Sequence, residues 1–381
     1  MDGLDSPLDR ATRTVSPQVF TDATTYTREL ERVFGRAWLL VGHTSQLSHH
    51  GDFITTRMGQ DPVVVCRGRD EALHVFLNSC PHKGALYCRE DRGHTKSFIC
   101  PYHARTFDTS GKLLGIAGAK LTDLADPEAD LLSVPRVDVL AGLVFASFDA
   151  AAPPLEQALG PMATLLPALL AQLGSAPVVL DGVHRARAAA NWKLAMSEPV
   201  GDGAALEAWA PSAAPAELGF VAALAGGHGL VAQAELLGSG DVSALPSGVY
   251  VATVYPNLIV VAAPGAVSLR VVQPLGPAHS ELCSIGLVPN ALSPEALASA
   301  RARVARQTSP SSPHEQRTLA AWESSHAGLV GTQRRQRRLH FADVGAGAPA
   351  AHLPVPARVG PRGAEHAGWG FLERWAEEIC R

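Results

Sequence analysis

No run of about 18 apolar residues occurs in the 381-residue chain, so the sequence offers no membrane-crossing helix. Aromatic residues are scarce, at 6%. Neither sign of charge dominates: 32 Lys and Arg stand against 36 Asp and Glu, a formal net charge of −4. That balance excludes the basic footprint of a nucleic-acid binder. The cluster Arg334, Arg335, Arg337 and Arg338 is local and reads as a solvated helix face or a subunit contact. The opening Met1-Asp2-Gly3-Leu4-Asp5 lacks the basic and apolar segments of a secretory signal. Six cysteines (Cys66, Cys80, Cys88, Cys100, Cys283 and Cys380) are too few and too unevenly placed for a disulfide framework. A cytoplasmic protein with reduced thiols is the expectation. What is plentiful is apolar residues, at 46%, which supply a core, together with 35 Gly and 28 Pro, which supply turns. The length suggests two domains.

The texture changes along the chain. Residues 26–41 carry Leu30, Val33, Phe34, Trp38 and Leu39 at helical spacing. From 42 to 148, short β-like runs such as Val63-Val64-Val65 and Leu73-His74-Val75-Phe76-Leu77 alternate with turn signals, which predicts an all-β domain. An Ala-, Pro- and Leu-rich connector with one helix near 155–173 follows. Beyond 178 the pattern predicts strands at 178–189, 228–237, 248–254, 257–262, 267–273 and 280–288. Helices are predicted near 191–198, 204–209, 294–307, 313–329 and 369–379, and a loop over 344–363. This is an α+β pattern: an antiparallel sheet with helices against one face.

The most informative stretch runs Asn78-Ser79-Cys80-Pro81-His82-Lys83-Gly84, then Phe98-Ile99-Cys100-Pro101-Tyr102-His103. Two loops each offer one thiolate and one imidazole. Two Cys on one iron and two His on the other is the ligand set of a Rieske [2Fe–2S] centre. Replacing two thiolates by neutral imidazoles removes negative charge and raises the potential, so such a centre accepts an electron from a ferredoxin or flavin reductase. Zinc could also take two Cys and two His, but its fingers pair Cys with Cys and His with His, whereas here the ligand types alternate. Cys66, Cys88, Cys283 and Cys380 have no ligand spacing and read as small hydrophobes or incidental thiols. Tyr102 and Phe107 are expected to pack around the centre.

With these motifs the chain resembles the Rieske non-haem iron oxygenases, the α subunits of aromatic-ring-hydroxylating dioxygenases. The resemblance runs through Phe34 to Trp38, Gly51-Asp52-Phe53, Cys80 to Gly84, Cys100 to His103, Gly142 to Phe145, Asn191-Trp192-Lys193, Tyr255 to Leu258 and Gln273 to Pro277. It implies an all-β Rieske domain, residues 41–150, inserted into a helix-grip antiparallel-sheet domain made of 1–40 and 151–381. It also implies trimers in which the cluster of one subunit faces the mononuclear iron of its neighbour, with an acidic residue bridging the two sites.

The iron triad is where this chain departs from the family. The resemblance implies two His in a His-x4-His spacing after Asn191-Trp192-Lys193, plus one carboxylate, a facial triad open to O2. Here no histidine follows Asn191 until His228; the expected positions fall on Ala204 or Ala205 and on Trp209 or Ala210. The carboxylate position falls near Arg317 or Thr318, with Glu315 the nearest acid. A mononuclear iron is therefore expected to be absent. A substitute site would have to draw on Glu198, Asp202, His314, Glu315 or His326. Asp202 stands where the resemblance places the bridging acid, with a plain turn Asp between Gly201 and Gly203 as the alternative. Arg105 stands where the family commonly has Trp: a cation that raises the potential, docks a partner or is merely solvated. The histidines at 43, 74, 184, 279, 340, 352 and 366 read as structural or exposed. The leading expectation is a catalytically incomplete α-type subunit, joined with a triad-bearing α subunit in a mixed trimer or hexamer that hydroxylates a small organic substrate. The alternatives are a self-sufficient oxygenase with an altered iron site, and a non-catalytic ligand-binding or scaffold subunit.

Overall fold

The computed structural model describes residues 7–116, 129–174, 178–197, 219–233, 245–341, 348–349, 353–361 and 364–380. By contacts the chain divides into two compact units: residues 34–155, and residues 1–33 together with 156–381. The fold is mixed α and β with antiparallel sheets. Among the described residues no helix is long and apolar enough to cross a membrane.

The unit 34–155 is built from short strands. They are β1 (Leu39–His43), β2 (Asp52–Met58), β3 (Asp61–Arg67), β4 (Leu73–Leu77), β5 (Arg92–His94), β6 (Ser97–Ile99), β7 (Thr106–Asp108), β8 (Leu113–Gly115), β9 (Arg136–Leu140) and β10 (Leu143–Ser147). They form three antiparallel sheets, ordered β4-β3-β2-β5, β9-β10-β1 and β8-β7-β6. Val63, Val64, Val65 and Cys66 on β3 are wholly buried, as a central strand requires. The helix predicted over 26–41 stops early. Its regular turns cover α1 (Ala23–Glu29), a π-helical turn takes Leu30–Phe34, and Leu39–His43 pairs with β10 instead. Leu39, Leu40 and Val41 fit a helical stripe and a buried strand equally well, and the pairing decides between them.

The other unit centres on a nine-stranded antiparallel sheet. Its strands are β11 (Val178–Ala188), β12 (Phe220–Leu224), β13 (His228–Gln233), β14 (Val249–Val254), β15 (Leu258–Ala263), β16 (Ala266–Pro274), β17 (Ser280–Pro289), β18 (Ala348–Pro349) and β19 (Ala357–Pro361). The sheet order is β11-β17-β16-β15-β14-β13-β12-β19-β18. The loop predicted over 344–363 is thus partly strand. Ala357–Pro361 pairs residue by residue with Phe220–Leu224, itself a strand that the periodicity did not single out. Around this sheet lie α2 (Leu155–Leu159), α3 (Pro161–Leu170), α4 (Trp192–Ser197), α5 (Pro294–Thr308), α6 (Pro313–Leu329) and α7 (His366–Cys380). Gly160 and Pro161 split the helix predicted over 155–173. Ser293 and Ser312 cap α5 and α6, each with Pro as the first helical residue, so the sequence marks both starts. α7 packs on β12 and β13, and α5 packs on β16 and β17. Arg338 is no solvated member of the basic cluster: it donates to Thr14 Oγ1 and to the Thr14 and Pro7 carbonyls.

One charged node ties α1, α4 and α7 together. The buried Glu29 carboxylate accepts from Trp192 Nε1 at 2.8 Å, from Trp375 Nε1 at 2.9 Å and from Lys193 Nζ. A second buried group makes the unit pH-sensitive. His228 Nδ1 accepts the Tyr255 backbone N–H at 3.0 Å, so its proton sits on Nε2. Burial, with the Arg374 charge adding to it, pushes the ring down to about 3 from its ordinary 6.5. Between those values the unfolded chain binds a proton that the folded chain refuses. Stability of this unit therefore falls as pH drops from 6.5 toward 3, by about 1.4 kcal/mol per pH unit from this group. Urea denaturation at stepped pH measures the slope. His228→Asn keeps an acceptor for the Tyr255 N–H and is expected to flatten it; an unchanged slope in that variant assigns the loss elsewhere.

Candidate metal centre

The four sequence-predicted ligands come from two loops of one design. In the first, the Cys80 N–H donates to Ala85 O at 2.9 Å and the Gly84 N–H to Cys80 O at 2.8 Å. In the second, the Cys100 N–H donates to Arg105 O at 2.8 Å and the Ala104 N–H to Cys100 O at 2.9 Å. Each loop turns on a left-handed residue, Gly84 at φ 70° and Ala104 at φ 52°. Glycine takes that conformation freely, whereas Ala104 holds it at a cost of about 1–2 kcal/mol. Each loop leaves the C-terminal end of a short strand. β4 runs into Asn78 and Cys80, β6 runs into Cys100, and β7 follows the second loop.

These loops bring two thiols and two imidazoles together as two pairs. Cys80 and Cys100 are buried and close enough for their thiols to hydrogen-bond. His82 and His103 are exposed, with ring centroids 4.6 Å apart at 66°. Burial raises the Cys80 thiol above its ordinary value, and the neighbouring Cys100 adds to the rise, so a metal must supply the charge that keeps both as thiolates. Among the described residues no three His, Cys, Asp or Glu side chains gather for a single ion. A sulfur pair within and an imidazole pair at the rim is the donor chemistry of a cluster with one iron of each kind.

A buried floor holds the thiols. Phe98 stacks edge-on with Phe53 and Tyr87, each at 5.5 Å between ring centroids, and Phe107 is fully buried beside them. Tyr102 does not join this floor: it is 61% exposed and lies across His103 at 4.0 Å, with Lys83 Nζ 5.8 Å from its ring. Asn78 is a brace that sequence reading missed. Its side chain donates to Cys88 O at 2.7 Å and accepts the Cys88 N–H at 3.0 Å, clamping the two ends of the first loop. An Asn at a strand end two residues before the first ligand was the available signal. Cys66 and Cys88 are buried, and burial pushes their thiols up to about 12 and about 11. They behave as inert small hydrophobes.

The positions considered for a second iron present a different picture. Asp202, Glu198, Ala204, Ala205, Trp209 and Ala210 lie outside the described residues. On α6, Arg317 is exposed and Thr318 half-buried. Glu315 is buried, with its side chain ion-paired to Arg270 of β16. Burial raises the Glu315 carboxyl, while Arg270 and His184 pull it back. His314 and His326 are buried on the same helix.

Residues 37–124 match the family described as the Rieske [2Fe-2S] domain. Residues 37–124 thus carry a Rieske domain, and the chain as a whole is similar to α subunits of Rieske non-haem iron oxygenases. It is 37% identical over 198 residues to the biphenyl 2,3-dioxygenase subunit alpha of Rhodococcus jostii, covering 50% of this chain and 42% of that one. It is 37% identical over 197 residues to a benzene 1,2-dioxygenase subunit alpha of Pseudomonas putida, covering 51% of this chain and 44% of that one. The chain thus spans under half the length of these curated relatives. Its fold matches the crystal structure of naphthalene 1,2-dioxygenase from Rhodococcus sp. with a TM-score of 0.83 and 25% identity, over 96% of this chain and 94% of that one. A quaternary ammonium Rieske monooxygenase shares the fold at a TM-score of 0.76 and 19% identity, over 99% of both chains.

Proposed function

We propose that Cys80, His82, Cys100 and His103 hold a [2Fe–2S] cluster through which this chain relays electrons within an oxygenase. The observation that carries this reading is the pairing of two buried thiols with two adjacent exposed imidazoles on loops of one design. Bound there, the cluster supplies one-electron transfer. The protein's own residues do the rest. The loop N–H bonds fix the ligand spacing, the floor of Phe53, Tyr87, Phe98 and Phe107 keeps water from the sulfur side, and His82 and His103 face outward, where an electron partner can approach.

In this reading the chain takes electrons from a ferredoxin or flavin reductase. It passes them to a mononuclear iron in a partner α subunit of a mixed trimer or hexamer, where a small organic substrate is hydroxylated with O2. The residues at its own second site do not suit an oxygenase iron. No histidine lies between Asn191 and His228, Arg317 and Thr318 stand for the carboxylate, and Arg270 engages Glu315. No step is therefore assigned to a second iron in this chain. Asp202 is our candidate for the acid linking the cluster to the neighbouring subunit.

Iron and acid-labile sulfide analysis of the purified chain, with an EPR spectrum after dithionite reduction, tests this. Two irons and two sulfides with a Rieske signal are expected. A third, sulfide-free iron would overturn the incomplete-subunit reading in favour of a self-sufficient oxygenase. Absence of both iron and sulfide would overturn the cluster itself.

A further inference from the structure

The two ligand loops share their opening Cys-Pro and their backbone bonds, but not the residues that follow. Where the first loop closes on Ala85, the second closes on Arg105, whose carbonyl accepts the Cys100 N–H. That bond fixes the Arg105 backbone against a ligand and lets a half-buried side chain spring from the rim of the site. The second loop lies against the first, with the His82 and His103 rings 4.6 Å apart. Among the described residues no acidic side chain pairs with Arg105. Asp108, three residues on, is spent on its own turn, accepting from Ser110 and Lys112. Lys83 is the other cation near His82, but it is exposed, so water and salt screen it.

We propose that Arg105 is a positioning charge for the cluster: fixed on the second ligand loop two residues after His103, with no acidic partner among the described residues, it raises the reduction potential above what the four ligands alone set. This rests on the cluster reading above. One electron from an external donor (dithionite in the test, a reductase in turnover) enters without any bond forming or breaking, and the site gains one negative charge. A nearby cation stabilises that gain. The effect expected is on the order of tenfold in the one-electron equilibrium, which corresponds to about 59 mV.

The test is a redox titration of the full chain, followed by circular dichroism and EPR, on wild type, Arg105→Leu, Arg105→Lys and Lys83→Met, each assayed for iron and sulfide. Arg105→Leu is expected to lower the reduction equilibrium about tenfold. Arg105→Lys should stay close to wild type, and Lys83→Met should shift less than Arg105→Leu and lose its shift in high salt. A fully loaded Arg105→Leu that titrates with wild type overturns the proposal and leaves the cluster reading intact. Wild type without iron and sulfide overturns the cluster reading instead. If Arg105→Leu loses its cluster, Arg105→Gln carries the same criterion; loss in both, with Lys retaining it, makes Arg105 an assembly residue and overturns the tuning role.

Discussion

Cys100→Ser is expected to leave the chain folded and without its iron and sulfide. Cys100 is 1% exposed and its thiol faces that of Cys80, so one iron has no other sulfur donor to fall back on. A serine oxygen is a hard donor with a far higher pKa than a thiol and does not hold a soft iron–sulfur unit. The fold should survive, because the floor beneath the ligands is aromatic and apolar: Phe53, Phe76, Phe98 and Phe107 keep their packing. Serine also differs from cysteine by only one atom. Cys66→Ser and Cys88→Ser serve as controls, since both thiols sit in the same core and burial holds both protonated. Those two variants should keep full iron and sulfide. Metal analysis beside far-ultraviolet circular dichroism reads both halves of the expectation. A stoichiometric cluster in Cys100→Ser would remove Cys100 from the ligand set.

Glu29→Ala should cost about 3–5 kcal/mol of stability in the unit that contains it, the loss typical of breaking a buried ion pair on one side. Three donors converge on that carboxylate: the indoles of Trp192 and Trp375, and the Lys193 ammonium. Lys193 is 1% exposed on its side chain and is ringed by Phe20, Trp192 and Trp375, with centroids at 5.9, 5.2 and 5.3 Å. The ring faces offer the stranded ammonium some cation–π attraction, but they do not replace a carboxylate. Burial already lowers the Lys193 pKa, with Glu29 holding it up, so removing Glu29 should drive the lysine toward its neutral form. The double variant Glu29→Met with Lys193→Met is expected to recover much of the loss, because no charge is then left buried. Chemical denaturation followed by tryptophan fluorescence reads this unit directly through Trp192 and Trp375. A cost below about 1 kcal/mol for Glu29→Ala would mean that water reaches Lys193.

Local features carried the metal centre. Cys80, His82, Cys100 and His103 lie within two short loops, and each loop closes on bonds between residues four and five apart, so spacing alone displayed the four candidate donors. The Ser-Pro starts at Ser293 and Ser312 likewise marked α5 and α6, because capping is a contact between near neighbours. The sequence also displayed that no histidine lies between Asn191 and His228. What only the tertiary structure decided depends on partners far along the chain. Leu39–His43 became a strand because Leu143–Ser147 lies beside it, and Ala357–Pro361 became one because Phe220–Leu224 does. Glu29 found Lys193 and Trp375 across 164 and 346 residues, and Arg270 found Glu315 across 45. Tyr102, expected to pack around the site, does so from the outside, over His103, while the floor is filled by Phe98, Tyr87 and Phe107. Spacing reports which donors a loop can offer; long-range packing determines which face each donor shows and which charge stands beside it.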